Sequence, residues 1–411
     1  MANAGFFVGS TLISTAPARS LPQCGACGLL KSCNTPKMPV SGAGARGVLF
    51  VGDSPHLEDD RKGKYFTGES GQHLRGVLRG LGFELSRDGW STASIICHPK
   101  RAGGAPSDIE VEYCRPNLLK TIKELNPNVI VPLGKSANRA VIGAIWKEDP
   151  GPIERWVGWR IPCHAFNAWV CPTWDSVSVM RAKDSVLTMQ LRAHLKWAIQ
   201  QDEKPWPEGP PDYAKEVTKM HDPAKAAAWL RKCATMKTGA IAWDYETDRL
   251  KPDGDGSRIF SCAVAYGHEE PERCIAYPWH GEAITATQEL LRSPIPKIAS
   301  NLKFEERWTK KEFGHRVRAW AWDTMLAANI ADNRPNTASV KFQAFVRLGM
   351  PVWNDKVEPF LKTKGDEVVN RILREIDIND LLRYNGLDSL LEFRVAIHQM
   401  KELNHPIPWE I

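Results

Sequence analysis

The sequence predicts an α/β protein of two domains. In the front half, short apolar runs alternate with helical patterns, as a parallel sheet with helices on both faces requires. Residues 200–217, "QQDEKPWPEGPPDYAKEV", hold four prolines and a glycine and so cannot be a continuous helix or central strand. Behind them, three strand-like runs follow in close succession before helical patterns dominate, which predicts a mixed sheet with helices packed on it. The expected division is 1–200, a linker at 201–217, and 218–411.

The front-half elements read in order. "GVLFVG" is a strand and "GQHLRGVLRGLGF" a helix; "STASII" is a strand and "EVEYCRPNLLKTIKEL" a helix. "NVIVPLG" and "SANRAVIGAIW" repeat the pair, and "AWVCPT" precedes one long helical stretch, "SVSVMRAKDSVLTMQLRAHLKWAI". Three α–β layers result. After the linker the strands are "GAIAWD", "IFSCAVAYG" and "RCIAYP".

At 43% hydrophobic and 25% charged residues, the composition is that of ordinary globular protein. No apolar run approaches the roughly 20 residues of a membrane helix, so no membrane partner is expected. The N-terminal "MANAGFFVGSTLISTAPARS" has no basic residue ahead of its apolar patch and reads as a tail or cap, not a signal peptide. The net charge of +6 lies entirely in residues 1–210, which suits a polyanionic partner.

The second half carries acids in an unusual place. In "IAWDYETDRL" an apolar run climbs to Trp243 and ends in Asp244, Glu246 and Asp248. Asp244 and Glu246, two apart on a strand, point to one face. Paired carboxylates repel unless a cation sits between them, and hard divalent cations prefer oxygen ligands. The competing reading is a solvated turn after an edge strand. "KIASNLKFEERW" supplies Asn301 at a strand end and Glu305 at a helix start. "LLRYNGLDSLLEFRVA" places Tyr384 and Asp388 four apart on one helix face. Asp248 reads as satisfying a turn, and Asp323 as capping the following helix.

These three segments resemble the DEDDy 3′–5′ exonucleases of the RNase H-like fold, as found in the proofreading domain of family A DNA polymerases. "DYE", "NLKFE" and "YNGLD" are the motifs, and "WDTMLAANIAD" resembles the segment after the second; the resemblance covers roughly 218–411. It implies two Mg²⁺ or Mn²⁺ ions. Asp244 would bridge both, and Glu246 and Asp388 would hold the one that carries the attacking water. Glu305 would support the other, Tyr384 would orient the water, and Asn301 would contact DNA. The family usually has Asp where Glu305 stands.

The first half is marked by cysteines. Cys24 and Cys27 form "CGAC", and Cys97 and Cys114 make a distant pair; this spacing suits tetrahedral zinc and an iron–sulfur cluster alike. "VLFVGDSPHLEDDRKGKYFTGESGQHLRGVL" and "PNVIVPLGKSANRAVIG" resemble the uracil-DNA glycosylase superfamily, most of all its iron–sulfur family 4, over roughly 20–200. The resemblance implies a 4Fe-4S cluster on Cys24, Cys27, Cys97 and Cys114, with Cys33 spare and buried. It also implies a base pocket at Asp53, Ser54, Phe66, Ala93 and Asp175. Phe66 matches the aromatic that stacks on a flipped base. Three positions depart from the pattern: the family has Glu at Asp53, a polar reader, usually Asn, at Ala93, and His at Asp175. An alanine cannot hydrogen-bond a base, and a carboxylate opposes charge on a leaving base. Uracil chemistry is therefore expected to be damaged or redirected. The basic loop "DRKGKYFTG", with Arg61, Lys62 and Lys64, is expected to hold DNA, while His98 and His164 read as packing or surface residues.

The order of the two domains resembles the front of some phage family A DNA polymerases. Ile411 follows the third motif too closely for palm and fingers, so a stand-alone proofreading-type exonuclease is expected. It would act on single-stranded 3′ DNA ends beside a separate family A polymerase, in the cytoplasm (the host's, for a phage protein). Two other classes fit the same residues: an active glycosylase on uracil or a modified base, and a non-catalytic DNA- or polymerase-binding subunit.

Overall fold

The computed structural model describes residues 21–100, 104–267, 273–361, 369–370 and 375–407. The N-terminal stretch read as a tail lies outside them. The chain forms two compact units that divide between Pro207 and Glu208. The expected linker is shared between them. Lys204 Nζ donates to the carbonyls of Pro127 and Asn167 in the first unit, whereas Tyr213 and Val217 enter the core of the second.

The first unit carries helices α1 (Cys24–Cys27), α2 (Leu57–Lys62), α3 (Glu69–Arg79), α4 (Leu85–Asp88), α5 (Asp108–Leu125), α6 (Lys135–Ile142), α7 (Ser176–Ala182) and α8 (Ser185–Ala198). Its sheet has the order β2-β1-β3-β5-β4, with β1 Val48–Gly52, β2 Gly89–Ala93, β3 Val129–Pro132, β4 Ile161–Cys163 and β5 Ala168–Val170. Val48 and Phe50 face a core shared with Leu74, Leu78, Val179, Leu191 and Leu195 from α3, α7 and α8. Residues of alternate parity point the other way, and Leu49 and Val51 are fully buried there, where α6 meets β1 and β3.

Two expectations need correction. The sheet is not wholly parallel: β4, unread in the sequence, runs antiparallel to β5. Their connection turns at Asn167 (φ 43°) and is far too short for a crossover, so only an antiparallel pair can form. The long helix expected before the linker is two helices. Lys183 takes a left-handed φ of 51°, and the Asp184 side chain then caps α8.

The second unit has a six-stranded mixed sheet, order β11-β10-β7-β8-β9-β6. The strands are β6 Val217–Lys219, β7 Ala240–Thr247, β8 Ile259–Gly267, β9 Arg273–Pro278, β10 Lys297–Ala299 and β11 Trp320–Asp323. Its helices are α9 (Pro223–Ala234), α10 (Glu282–Arg292), α11 (Lys303–Phe313), α12 (Thr324–Ala331), α13 (Val340–Leu348), α14 (Glu358–Leu361) and α15 (Ile378–Glu402). β7–β8–β9 is an antiparallel meander, and β10, β11 and β6 add parallel partners. One apolar cluster joins Ile241, Trp243 and Tyr245 to α9, α10 and α11. Another joins Ala240, Ala242, Ala263 and Ala276 to α13 and α15. The alanines let α15 lie close. At Gly386 a Cβ would stand 2.2 Å from a Val217 methyl, so no side chain fits there.

Candidate active site

β7 is an interior strand, and its alternation decides where the acids point. Ala240 and Ala242 face α15, and the same parity continues to Asp244 and Glu246. Both acids lie within the strand, opposite Ala263 and Ser261 of β8. The alternative of a solvated turn on an edge strand is excluded.

α15 supplies the other wall. Asn385 Nδ2 donates to Asp244 Oδ2 (2.8 Å) and to the Asp244 carbonyl (3.1 Å), while Ser261 Oγ donates to Asn385 Oδ1 (2.8 Å). One turn on, Ser389 Oγ donates to the Ala242 carbonyl (2.9 Å) and accepts from the Ala265 N–H (3.0 Å). These buried bonds fix the helix against β7 and β8 and so fix Tyr384 and Asp388 over the strand.

Carboxylate oxygens of Asp244, Glu246 and Asp388 lie within 4.8 Å of one another. Burial, with the charge of Asp388, pushes the Asp244 carboxyl up to about 8. Burial, then Asp244 and Asp388, hold Glu246 well above the usual carboxylate range. Burial raises Asp388 too, opposed by Lys341 and by hydrogen bonds from Tyr384 and Trp353. Trp353 Nε1 donates to Asp388 Oδ1 (2.8 Å), and Lys341 Nζ stands 3.8 Å from the same oxygen. Without a cation this group must hold protons or suffer repulsion. An all-oxygen donor set of this compactness fits Mg²⁺ or Mn²⁺.

Glu305 lies in the first turn of α11, 3% exposed, and its Oε2 meets no hydrogen-bond partner. Burial and the charge of Asp244 raise its carboxyl well above the ordinary value. Asn301 makes the turn into α11 with φ 60°. Asp323 fastens that turn by accepting from the Asn301 and Leu302 N–H groups, and it caps α12 through Met325 and Leu326.

In the first unit, Cys24, Cys27, Cys97 and Cys114 line one small pocket with Leu29, Ile95 and Ile96. The Lys37 N–H donates to Cys97 Sγ (3.3 Å) and Asn117 Nδ2 to Cys114 Sγ (3.5 Å). Burial pushes the Cys97 thiol up to about 12, and neighbouring Cys33 adds to the shift. Burial raises Cys114 as well, with Cys27 and Cys24 adding repulsion. Four cysteines lining one pocket, two of whose sulfurs receive N–H donors, fit a metal or cluster that would hold them as thiolates.

Asp53, Phe66, Ala93 and Asp175 belong to the end of the first sheet where its parallel strands finish, the end at which open α/β sheets bind ligands. Asp53 follows β1 and accepts from the Ala137 N–H at the start of α6 (2.8 Å). Burial pushes its carboxyl up to about 7, with added repulsion from Asp175. Gly134 (φ 96°) lies between them; a Cβ there would be 3.0 Å from both Asp53 oxygens and from Asp175 Cβ. Phe66, at φ 57°, covers Gly52, and Arg75 Nε holds its carbonyl (3.0 Å). Ala93 is buried beside Met38, Tyr65 and Phe66.

Residues 39–200 match the uracil DNA glycosylase superfamily, and residues 217–403 match the 3′–5′ exonuclease family. The chain joins a glycosylase-superfamily domain to a 3′–5′ exonuclease domain. A type-4 uracil-DNA glycosylase of Archaeoglobus fulgidus is 33% identical over 119 residues, 29% of this chain and 58% of that protein. A DNA polymerase of Bacillus phage SP01 is 28% identical over 105 residues, 26% of this chain and 11% of that protein. The chain spans about half the length of the type-4 glycosylases it matches, 58% and 53% for two of them. The solved structure of Escherichia coli RNase D is 15% identical, with a TM-score of 0.34 over 46% of this chain and 45% of that one.

The exonuclease domain brings Asp244, Glu246 and Asp388 together with Tyr384 one turn before Asp388, and Glu305 is not part of that tight group of acids. Asp248 is buried in a turn and accepts from the Arg258 N–H (3.0 Å). Lys341, Trp353, Asn385 and Glu392 went unread; of these, only Asn385 carried a signal, as a polar residue on the inner face of an apolar helix.

In the glycosylase-superfamily domain, Arg61 and Lys62 lie in α2 rather than a loop, and both pair with Glu58 (3.1 and 3.6 Å). Lys64 is exposed. Ser54 Oγ donates to the Gly104 carbonyl. Asp175 is engaged in capping α7 through the Ser178 N–H (2.8 Å) and hydroxyl (2.6 Å). His98 is buried with Nδ1 at 2.8 Å from the Pro55 carbonyl oxygen, and His164 packs edge-on to Trp206. Cys33 is half-buried, not buried as expected. Among the described residues no helix is long and apolar enough to cross a membrane.

Proposed function

We propose that the chain is a divalent-metal-dependent 3′–5′ DNA exonuclease of the proofreading type. The carrying observation is the convergence of Asp244, Glu246 and Asp388 within 4.8 Å, with Tyr384 one helical turn from Asp388. Asp244, Glu246, Glu305 and Asp388 would hold two Mg²⁺ or Mn²⁺ ions. When bound, such ions activate water and stabilise the charge on the attacking and leaving oxygens of a phosphodiester. Asn385 orients Asp244. Lys341 donates to the Tyr384 hydroxyl oxygen, while the tyrosine's own proton is directed at Asp388 and so helps hold that carboxylate in place. Tyr384 acts as a hydrogen-bond donor rather than a base, because burial and the nearby carboxylates raise it well above its usual value.

The glycosylase-superfamily domain serves as a DNA-gripping partner that carries a 4Fe-4S cluster on Cys24, Cys27, Cys97 and Cys114. Its pocket lacks a polar reader at Ala93 and presents Asp175 as a helix cap, which argues against efficient uracil excision. The partner is a separate family A DNA polymerase. The test uses single-stranded DNA labelled at either end. With Mg²⁺ the 3′ label should leave first as a mononucleotide, and EDTA should stop it. Loss of the 5′ label first, or cleavage in EDTA, would refute the reading.

A further inference from the structure

Trp353 has no assigned part in the site described above. It lies between α13 and α14, 35 residues before Asp388, yet its indole Nε1 donates to Asp388 Oδ1 at 2.8 Å. The side chain is 3% exposed and packs in the apolar cluster that joins β7 to α15. An apolar side chain would serve that cluster without an N–H, whereas a buried indole N–H needs an acceptor. Here the acceptor is a carboxylate of the tight acidic group. The mount is firm. Val357 enters the same cluster, and Lys356 Nζ donates to Asp380 Oδ1 (2.7 Å) in the first turn of α15. The face of the Trp353 ring also carries the Lys341 ammonium, 5.6 Å from its centroid.

We propose that Trp353 is a positioning residue of the metal centre: its indole N–H fixes the Asp388 carboxylate, and its ring face seats the Lys341 ammonium beside that carboxylate. The proposal rests on the exonuclease reading. A neutral donor suits the task, because it orients the carboxylate without cancelling the charge that attracts a divalent cation. Lys341, 3.8 Å from Asp388 Oδ1, is too distant for a hydrogen bond and supplies charge instead. Asn385 Nδ2 does the corresponding work at Asp244 Oδ2 (2.8 Å), so two of the three clustered acids are each held by a neutral N–H donor. Trp353 acts through Asp388 and Lys341 and need not touch the DNA.

The test is Mn²⁺ binding to the full chain at neutral pH, read from the loss of the free-ion electron paramagnetic resonance signal. Ions retained by Asp244→Asn are subtracted as lying elsewhere. Trp353→Phe keeps a buried ring and removes the N–H, and the folded variant should bind the remaining Mn²⁺ at least about tenfold more weakly than wild type. Trp322→Phe is the control. It removes an indole donor to Gln399 Oε1 (3.1 Å) on the same helix, about three turns beyond Asp388, and should bind Mn²⁺ as wild type does. If Trp353→Phe does not fold, Trp353→Met fills the core without an N–H and undergoes the same titration. Wild-type affinity in the folded Trp353 variant would overturn the role of Trp353 and leave the exonuclease reading intact. Equal weakening in the Trp322 control would do the same, since it would reduce both indoles to packing. No site-specific Mn²⁺ in wild type would overturn the role and the reading together.

Discussion

Lys341 Nζ lies 3.0 Å from the hydroxyl oxygen of Tyr384. The same ammonium is 3.8 Å from Asp388 Oδ1 and sits over the rings of Trp353 and Tyr384. It therefore places a positive charge beside a buried acidic group and fixes the direction in which the tyrosine can donate. Lys341→Met should lower the single-turnover rate of 3′-end digestion by about 10–100-fold, as losing the partner of a metal-ligating carboxylate does. Because Lys341 lowers the Asp388 carboxyl, the acid limb of the pH–rate profile should move to higher pH. An unchanged profile would mean that Lys341 only packs.

The acid cluster makes stability depend on pH in a defined direction. Asp244 is raised to about 8 in the folded, metal-free protein, against about 4 for an unfolded aspartate. Between those values the folded state holds a proton that the unfolded state has lost, so stability falls as pH rises. In EDTA, urea unfolding of the exonuclease domain should show lower stability at pH 8 than at pH 5. One such group contributes a slope of roughly 1.4 kcal/mol per pH unit. Asp244→Asn should flatten the slope and raise stability at pH 8. A slope as steep in Asp244→Asn as in wild type would contradict the crowding of the acids.

Much of this site was legible in the sequence, and for physical reasons. Asp244 with Glu246 follows the two-residue period of a strand, and Tyr384 with Asp388 follows one turn of a helix; each pair is local, so its spacing fixes its face. Lys341 and Trp353 reach Tyr384 and Asp388 from α13 and the segment after it, and no local period encodes that approach. Glu392 carries no local signal of its burial, because that burial depends on α15 crossing the sheet. β4 was missed because three residues carry no readable period. The break between α7 and α8 did have a signal, Asp184 as a cap, which continuous helical patterning on either side obscured.

The cysteine pocket allows the proposed ligand Cys97 to be told from its neighbour Cys33. Protein purified without oxygen should contain iron and sulfide. Cys97→Ala should lose most of both and destabilise the first unit, since Cys97 lines the pocket and receives the Lys37 N–H. Cys33→Ala should retain the metal. One zinc per chain and no iron would replace the cluster with a tetrahedral zinc site, and equal iron loss in both variants would remove the distinction between the two cysteines.

DNA binding by the first unit should be electrostatic. Arg61 and Lys62 are exposed at the end of α2, partly neutralised by Glu58. Reversing both charges, Arg61→Glu with Lys62→Glu, should weaken binding similarly for every sequence, because phosphate contacts carry no base information. The slope of log affinity against log salt should become shallower by up to about two. Fluorescence anisotropy over a salt series measures both. A sequence-dependent loss, or an unchanged slope, would move the contact elsewhere.

The central claim is tested most directly by following one 5′-labelled single strand over time with Mg²⁺, using wild type beside Asp244→Asn and Asp388→Asn. Wild type should yield a ladder shortening one nucleotide at a time from the 3′ end, while both variants, folded by circular dichroism, leave the strand intact. A wild-type ladder that persists at full rate in both variants, or no ladder from wild type with Mg²⁺ or Mn²⁺, would contradict the account.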